Sequence, residues 1–395
     1  MTHTTDPERH LRVALYSHDA QGLGHIRRNL AIAHALRGSG VAVDLLLLTS
    51  APDVAHAGRP AGCDIVSIPA LSKDDRGRYR SRHLSVGSEH IIAMRQAVLH
   101  AALASFAPDV LIVDKHARGF RGELEPALDA VRHAGGRIVL GLRDVLDDAA
   151  TAVPEWKEAR TARALKNWYD EVWVYGDPLV HDPLTDLKVP GRVNVRYTGY
   201  LAHGRPAARA VTTTGGSPYV LAMVGAGGDG AGLARAFARA AMPDGHRGVI
   251  VAGPHMPEHD VEEVRRIAAE RGDIRVVRSA PDAAALIAGA AALVGMGGYN
   301  TVCEALAAAT PMLVVPRIAP RREQLVRARA LERLGAVDVL DPRELSPAAI
   351  TAWAAQTVHR TPHAMPELDL SGLARIPDFL ADLVGAHRQE SRHVA

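Results

Sequence analysis

The chain has 395 residues, 47% hydrophobic, 23% charged and 4% aromatic, a length that exceeds one ordinary core and suits two domains with aliphatic interiors. Forty-six Lys and Arg against 44 Asp and Glu leave a net charge of +2, which gives no reason to expect a nucleic-acid partner. The two cysteines, Cys63 and Cys303, lack metal-ligand spacing, and neither a signal-peptide core after MTHTTDPERH nor a run of about 18 apolar residues is present, so the expectation is a cytoplasmic protein without disulfides or a membrane span, peripheral association left open.

In chain order, LRVALYS, VAVDLLLL, DVLIVD, RIVLGL and EVWVYG read as buried parallel strands, with helical segments such as RRNLAIAHALRGSG between them. That alternation predicts a doubly wound α/β domain over residues 1–203. Directly after the first strand lies SHDAQGLGHIRR, from Ser17 to Arg28. Gly22 and Gly24 let the backbone turn tightly, and the following helix N-terminus adds positive potential for a phosphate or a developing anion. His25 then faces the cleft as a candidate general base, its ordinary pKa near roughly 6.5 suiting work close to neutrality; the alternative is a helix-capping histidine. His18 and Asp19 precede the loop and are candidates for orienting His25 or meeting an acceptor. Asp114, followed by Lys115 and His116, and the pair Arg143 and Asp144 close two further strands and are assigned to the acceptor side, with a salt bridge or loop cap as the alternative. The basic stretch LSKDDRGRYRSRH, Leu71 to His83, offers an anionic acceptor its arginines or is a solvated surface loop.

HGRPAARAVTTTGGSP has the composition of a linker, placed at 204–217. Strands YVLAMVG, GVIVAG, IRVVRS, AALVGMG and PMLVVP then build a second domain over 218–365, and a helical segment over 366–395 is expected to pack back across the domain junction. MVGAGGDG repeats the strand–glycine–helix arrangement; Gly227, Gly228 and Asp229 make either a nest for a diphosphate or a plain tight turn. GMGGYNTVCEAL, Gly295 to Leu306, places Gly297, Gly298, Tyr299, Asn300 and Thr301 at another helix start. Glu304 lies one turn in, where a carboxylate can accept both hydroxyls of a ribose or serve the helix dipole. Glu323 and Gln324 follow. No Asp-x-Asp or His-rich ligand pattern occurs beside these motifs, so no metal or other cofactor is expected, and leaving-group charge falls to backbone amides, helix dipoles and arginine.

The three blocks GLGHIRRN, GAGGDG and GMGGYNTVCEALAAATPMLVVP, in that order, resemble the MurG-type glycosyltransferases of family 28, in an uncharacterised bacterial branch. The resemblance implies an α/β GT-B fold of two Rossmann-like domains facing a central cleft. It implies Glu304 as the ribose ligand, Gly298 to Thr301 along the diphosphate, and Glu323 and Gln324 at the donor sugar. Glu323 stands where the family carries the first of two glutamines, which leaves the sugar undefined. The function implied is inverting transfer of a hexose, N-acetylglucosamine among the candidates, from a UDP-sugar to an unknown acceptor, His25 acting as base. A UDP-sugar hydrolase of the pseudaminic-acid type, which shares a GxGHxxR block, and a non-catalytic nucleotide-sugar binder are the alternatives; an epimerase on the same fold is disfavoured, since the sequence shows no strong second set of catalytic carboxylates.

Overall fold

A computed structural model describes residues 10–19, 23–73, 79–205, 216–226, 228–280, 282–360 and 367–394. The apolar runs become parallel strands because helices cover both faces of each sheet: every residue of β6 (Val110–Asp114), β8 (Glu171–Tyr175) and β10 (Tyr219–Met223) is buried. In the first domain these join β1 (Leu11–Tyr16), β2 (Val43–Thr49), β3 (Cys63–Ser67), β7 (Arg137–Arg143) and β9 (Asn194–Tyr197) in the parallel order β3-β2-β1-β6-β7-β8-β9. Helices α1 (Gly24–Gly38), α2 (Pro52–Gly58), α3 (Ser88–Phe106), α4 (Glu125–His133), α5 (Ala149–Glu158) and α6 (Thr161–Trp168) flank this sheet. The basic stretch after residue 70 is not a plain loop. Its ends pair as an antiparallel hairpin, β4 (Leu71–Lys73) with β5 (Tyr79–Ser81), in which Leu71 and Ser81 are buried; residues 74–78 lie outside the described residues.

The second sheet adds β11 (Arg247–Val251), β12 (Ile274–Val277), β13 (Ala292–Gly295), β14 (Met312–Val314) and β15 (Asp338–Val339) to β10, in the order β12-β11-β10-β13-β14-β15. Helices α7 (Ala231–Arg239), α8 (Glu258–Arg271), α9 (Ala283–Ala288), α10 (Tyr299–Ala307), α11 (Glu323–Arg333) and α12 (Pro347–Thr357) surround it. In each sheet the strand order reverses beside its first strand, between β1 and β6 and between β10 and β13. Ligands of such sheets bind at the carboxyl ends of the strands at that reversal.

The last helix, α13 (Gly372–Val394), lies against α1 of the first domain. Asp369 N donates to Asp177 Oδ2 at 2.9 Å, Ser371 bridges to Leu201, and Phe379 packs edge-on to Trp173 at 5.8 Å beneath the Arg196 guanidinium. The crossing is tight enough to need glycine, since a Cβ on Gly372 would sit 2.6 Å from Gly199 O. One apolar cluster runs through both domains, from Val13 and Ile26 by way of Tyr200 and Tyr299 to Leu221 and Ile376. Most of the expected linker, 206–215, and residues 361–366 lie outside the described residues. Arg205, which leads into the linker, is engaged at the junction rather than free.

Candidate active site

The loop after β1 is held by Asp19. Its Oδ1 accepts from Ile26 N at 3.0 Å in the first turn of α1, and its Oδ2 accepts from the hydroxyls of Ser17 and Thr49. A buried carboxylate thus caps a helix whose own first turn carries no acid. Asp19 thus fastens the loop and sets a fixed anion at the α1 N-terminus. Gly22 lies outside the described residues, and Gly24 accepts through its carbonyl from Asn300 Nδ2 at 3.2 Å, across the domain junction.

His25, in the first turn of α1, is 21% exposed, and its Nδ1 lies 3.1 Å from Asp114 Oδ1. Asp114 closes β6, the strand beside β1, and also receives the fork of Arg28, Nε at 3.0 Å and Nη2 at 2.8 Å. Burial lowers the His25 pKa, and Asp114 opposes that shift. At Asp114 burial raises the pKa, but Arg28 and His25 outweigh it and hold the carboxylate ionised. His25 Nδ1 also lies 3.0 Å from Arg28 Nη2; with its proton on Nδ1 the imidazole donates to the ionised Asp114, and Nε2 is then the basic nitrogen. Asp114 is buried and partnered by both His25 and Arg28.

His18 forms the wall behind this pair. Its ring stacks on Phe120 at 5.1 Å and meets His116 edge-on at 5.5 Å, and its Nδ1 lies 3.3 Å from Arg95 Nη2. Arg95 is locked to Glu123, which also accepts from Tyr16 Oη at 2.6 Å. Burial and the charge of Arg95 push His18 down to about 3. Tyr79 of the hairpin covers Phe120 at 4.3 Å between ring centres.

Asp144 is fully buried at the domain junction. Its two oxygens accept the Arg327 fork at 2.6 and 2.7 Å, and Tyr200 Oη donates to Oδ2 at 2.9 Å. Arg327 lies on α11, so this fully buried pair ties the two domains together. Arg321 pairs with Asp147 and Glu155 across the same junction, and Arg322 N donates to Asp147 Oδ1 at 2.8 Å. Arg143, at the end of β7, and its neighbour Lys115 have no hydrogen-bond or ion-pair partner for their side chains among the described residues.

On the second domain, α10 begins at Gly298 and α7 at Gly230, both without a side-chain cap and without an acid in the first turn. Space is open beside Gly228 and Gly298, and Gly227 lies outside the described residues. These two unmatched N-termini can receive an anion. Glu304 is buried; Oε1 is bound by Arg27 of the first domain and by Arg205 at 3.3 Å, and Oε2 has no partner among the described residues. Asn300 Oδ1 accepts from Arg205 at 3.0 Å, and Thr301 is buried beside it. Tyr299 packs into the domain junction: Leu201 N donates to its hydroxyl at 3.1 Å, and its ring stacks on Tyr200 between Arg28 and Arg327. Glu323 Oε1 and Asp229 share Arg317, while Glu323 Oε2 has no partner among the described residues. Gln324 Oε1 accepts from Arg317 N at 2.9 Å and so shapes the loop after β14. Sequence reasoning missed Arg27, Arg95, Glu123, Arg205, Arg317 and Arg327. The only signal was arginine beside a motif, and the partner acids are distant in sequence. Among the described residues no group of three or more His, Cys, Asp or Glu could hold a metal ion, and no helix is long and apolar enough to cross a membrane.

Residues 249–364 match the glycosyltransferase family 28 C-terminal domain. No curated protein matches the sequence. Among solved structures, the calicheamicin glycosyltransferase CalG4 is similar over 98% of each chain at 16% identity, with a TM-score of 0.58. The glycosyltransferase VinC in complex with dTDP is similar over 97% of this chain and 100% of its own, at 16% identity and a TM-score of 0.59. MurG of Acinetobacter baumannii is similar over 94% and 99%, at 16% identity and a TM-score of 0.56. The fold is GT-B, two doubly wound domains with their strand ends turned to one junction.

Proposed function

We propose that this chain, a glycosyltransferase with the GT-B fold and a family 28-type second domain, moves a hexose from a UDP-sugar to an acceptor hydroxyl with inversion, His25 serving as the base. The observation that carries this reading is the His25–Asp114 pair at 3.1 Å, set at the strand reversal of the first sheet. The acceptor hydroxyl gives its proton to His25 Nε2 as its oxygen bonds to the anomeric carbon. The bond from that carbon to the diphosphate breaks, and its electron pair leaves with UDP. One displacement inverts the anomeric centre. The developing charge on the diphosphate faces the N-termini of α10 and α7, whose amides are fixed before the reaction begins. Oε2 of Glu304 and Oε2 of Glu323 are unmatched acceptors on the same domain, suited to a ribose hydroxyl and a sugar hydroxyl respectively. Arg27 and Arg205 hold Oε1 of Glu304, so Oε2 is the oxygen left for the ribose in this reading.

VinC was captured with dTDP, so dTDP-sugars stand beside UDP-sugars in the donor screen. The test follows release of nucleoside diphosphate by mass spectrometry for wild type, His25→Ala and Glu304→Ala. His25→Ala is expected to lower kcat by about 10²–10⁴ while leaving UDP affinity within about twofold, the range for losing a positioned base. Glu304→Ala is expected to weaken UDP binding. A His25→Ala enzyme with more than a tenth of wild-type kcat would remove the base from the mechanism. Steady donor consumption with no acceptor present would make water the acceptor.

A further inference from the structure

The acids at the carboxyl ends of β6 and β7 are engaged by other arginines: Asp114 holds Arg28, Asp144 holds Arg327, Asp147 and Glu155 hold Arg321, and Glu323 and Asp229 hold Arg317. Two cations make none of these pairs. Lys115 directly follows Asp114, and Arg143 ends the adjacent strand, with Asp114 in register with Gly141. Lys115 N donates to Gly141 O at 2.8 Å, which pins the residue at a φ of 65°, a left-handed conformation uncommon for a lysine. Among the described residues Arg143 Nε is buried with no acceptor, an arrangement costly for a charged donor that a bound anion would complete.

We propose that Lys115 and Arg143 form an anion subsite in the acceptor half of the junction, so that the acceptor carries a carboxylate or phosphate beside the hydroxyl that is glycosylated. This rests on the transferase reading above. The donor's diphosphate has separate positive features in the uncapped N-termini of α10 and α7, whereas these two side chains stand on the first domain, next to the group that holds His25. A guanidinium fork and an ammonium suit an oxyanion, one by paired hydrogen bonds and the other as a point charge. Burial together with Arg143 and Arg321 brings Lys115 down to about 8, and burial with Arg28 and Arg327 brings Arg143 to about 10. In both, burial and neighbouring like charges outweigh the pull of the acids Glu155, Glu323 and Asp144, and a bound anion relieves them.

The test is calorimetry on protein saturated with UDP, using 4-hydroxybenzoate, its methyl ester and inorganic phosphate as probes. The wild type is expected to bind the acid at least about tenfold more tightly than the ester. Arg143→Gln and Lys115→Gln should lose that preference while binding UDP as the wild type does, and Arg143→Lys should regain part of it. Phosphate binding more tightly than the acid assigns a phosphorylated acceptor, and the reverse a carboxylated one. The proposal is overturned if acid and ester bind alike and phosphate does not bind, or if the glutamine variants keep the preference. Loss of UDP binding in those variants overturns it too, placing the cations on the donor. Failure of the wild type to bind UDP is a failure of the donor reading, which the first control separates from this one.

Discussion

Arg327→Met tests whether the domain junction rests on a buried charge pair. Arg327 and Asp144 are each at most 1% exposed and share two hydrogen bonds of 2.6 and 2.7 Å. The substitution keeps the aliphatic bulk and leaves Asp144 with one hydroxyl and one backbone amide, from Tyr200 and Val145, for its full charge. At an effective dielectric of about 20 and a charge separation of about 4 Å, the lost attraction is about 4 kcal/mol. Breaking a buried pair on one side is known to cost about 3–5 kcal/mol. Urea unfolding at pH 7 reads the loss by tryptophan fluorescence, with Trp156, Trp168 and Trp173 on the first domain and Trp353 on the second. The double variant Asp144→Asn with Arg327→Met should recover more than half of the loss, because an uncharged amide no longer needs a cation. A single variant within about 1 kcal/mol of wild type, or a double variant as unstable as the two singles summed, would refute the argument.

Asp114→Asn should lower kcat by about 10²–10⁴ through loss of the imidazole's orientation. Since Asp114 raises the His25 pKa, its removal should not move the acid limb of the kcat/KM profile upward, and an upward shift would contradict the assignment. In stability against pH, the folded pKa of His18, about 3, lies below the unfolded value near roughly 6.5. Its contribution is therefore complete above pH 6.5 and is lost as pH falls from there toward 3, at about 1.4 kcal/mol per pH unit. His116, lowered mainly by burial, has the same sign. His18→Gln should flatten the dependence between pH 6.5 and 5 by about one proton's slope, and an unchanged slope would sink that reading. Gly297 has a φ of 77°, and a Cβ there would lie 2.7 Å from Val314 Cγ1. Gly297→Ala should cost about 1–3 kcal/mol and weaken UDP binding, whereas an unchanged melting temperature and UDP affinity would show the loop to be slack.

What the sequence made legible was whatever repeats locally. Val, Leu and Ile runs such as DVLIVD and YVLAMVG betray their strands because a sheet covered on both faces demands continuous apolar residues. The glycine-led helix starts at Gly24 and Gly298 are equally visible, since turn chemistry is local. β3 and the two-residue β15 are too short or too polar to announce themselves. Partnerships between distant residues were illegible. Nothing around Asp144 signals Arg327, 183 positions away, and nothing around Glu304 signals Arg27, 277 positions away. Asp19, Asp114 and Asp144 therefore looked alike as acids at strand ends. Only their donors distinguish a loop fastener, an orienting group and a domain tie.

The return of α13 onto α1 means that the first domain is written in two separate parts of the chain, residues 10 to about 203 and the segment from Asp369 onward, with the second domain between them. During synthesis the first sheet can form early, yet the face of α1 that meets Ile376 and Leu380 has no cover until the second domain has been made. A fragment cut after the linker would carry that apolar stripe uncovered. Joining Asp369 and α13 by a short connector to the end of β9 would give the first domain its outer layer without the second, and would allow each half to be studied alone.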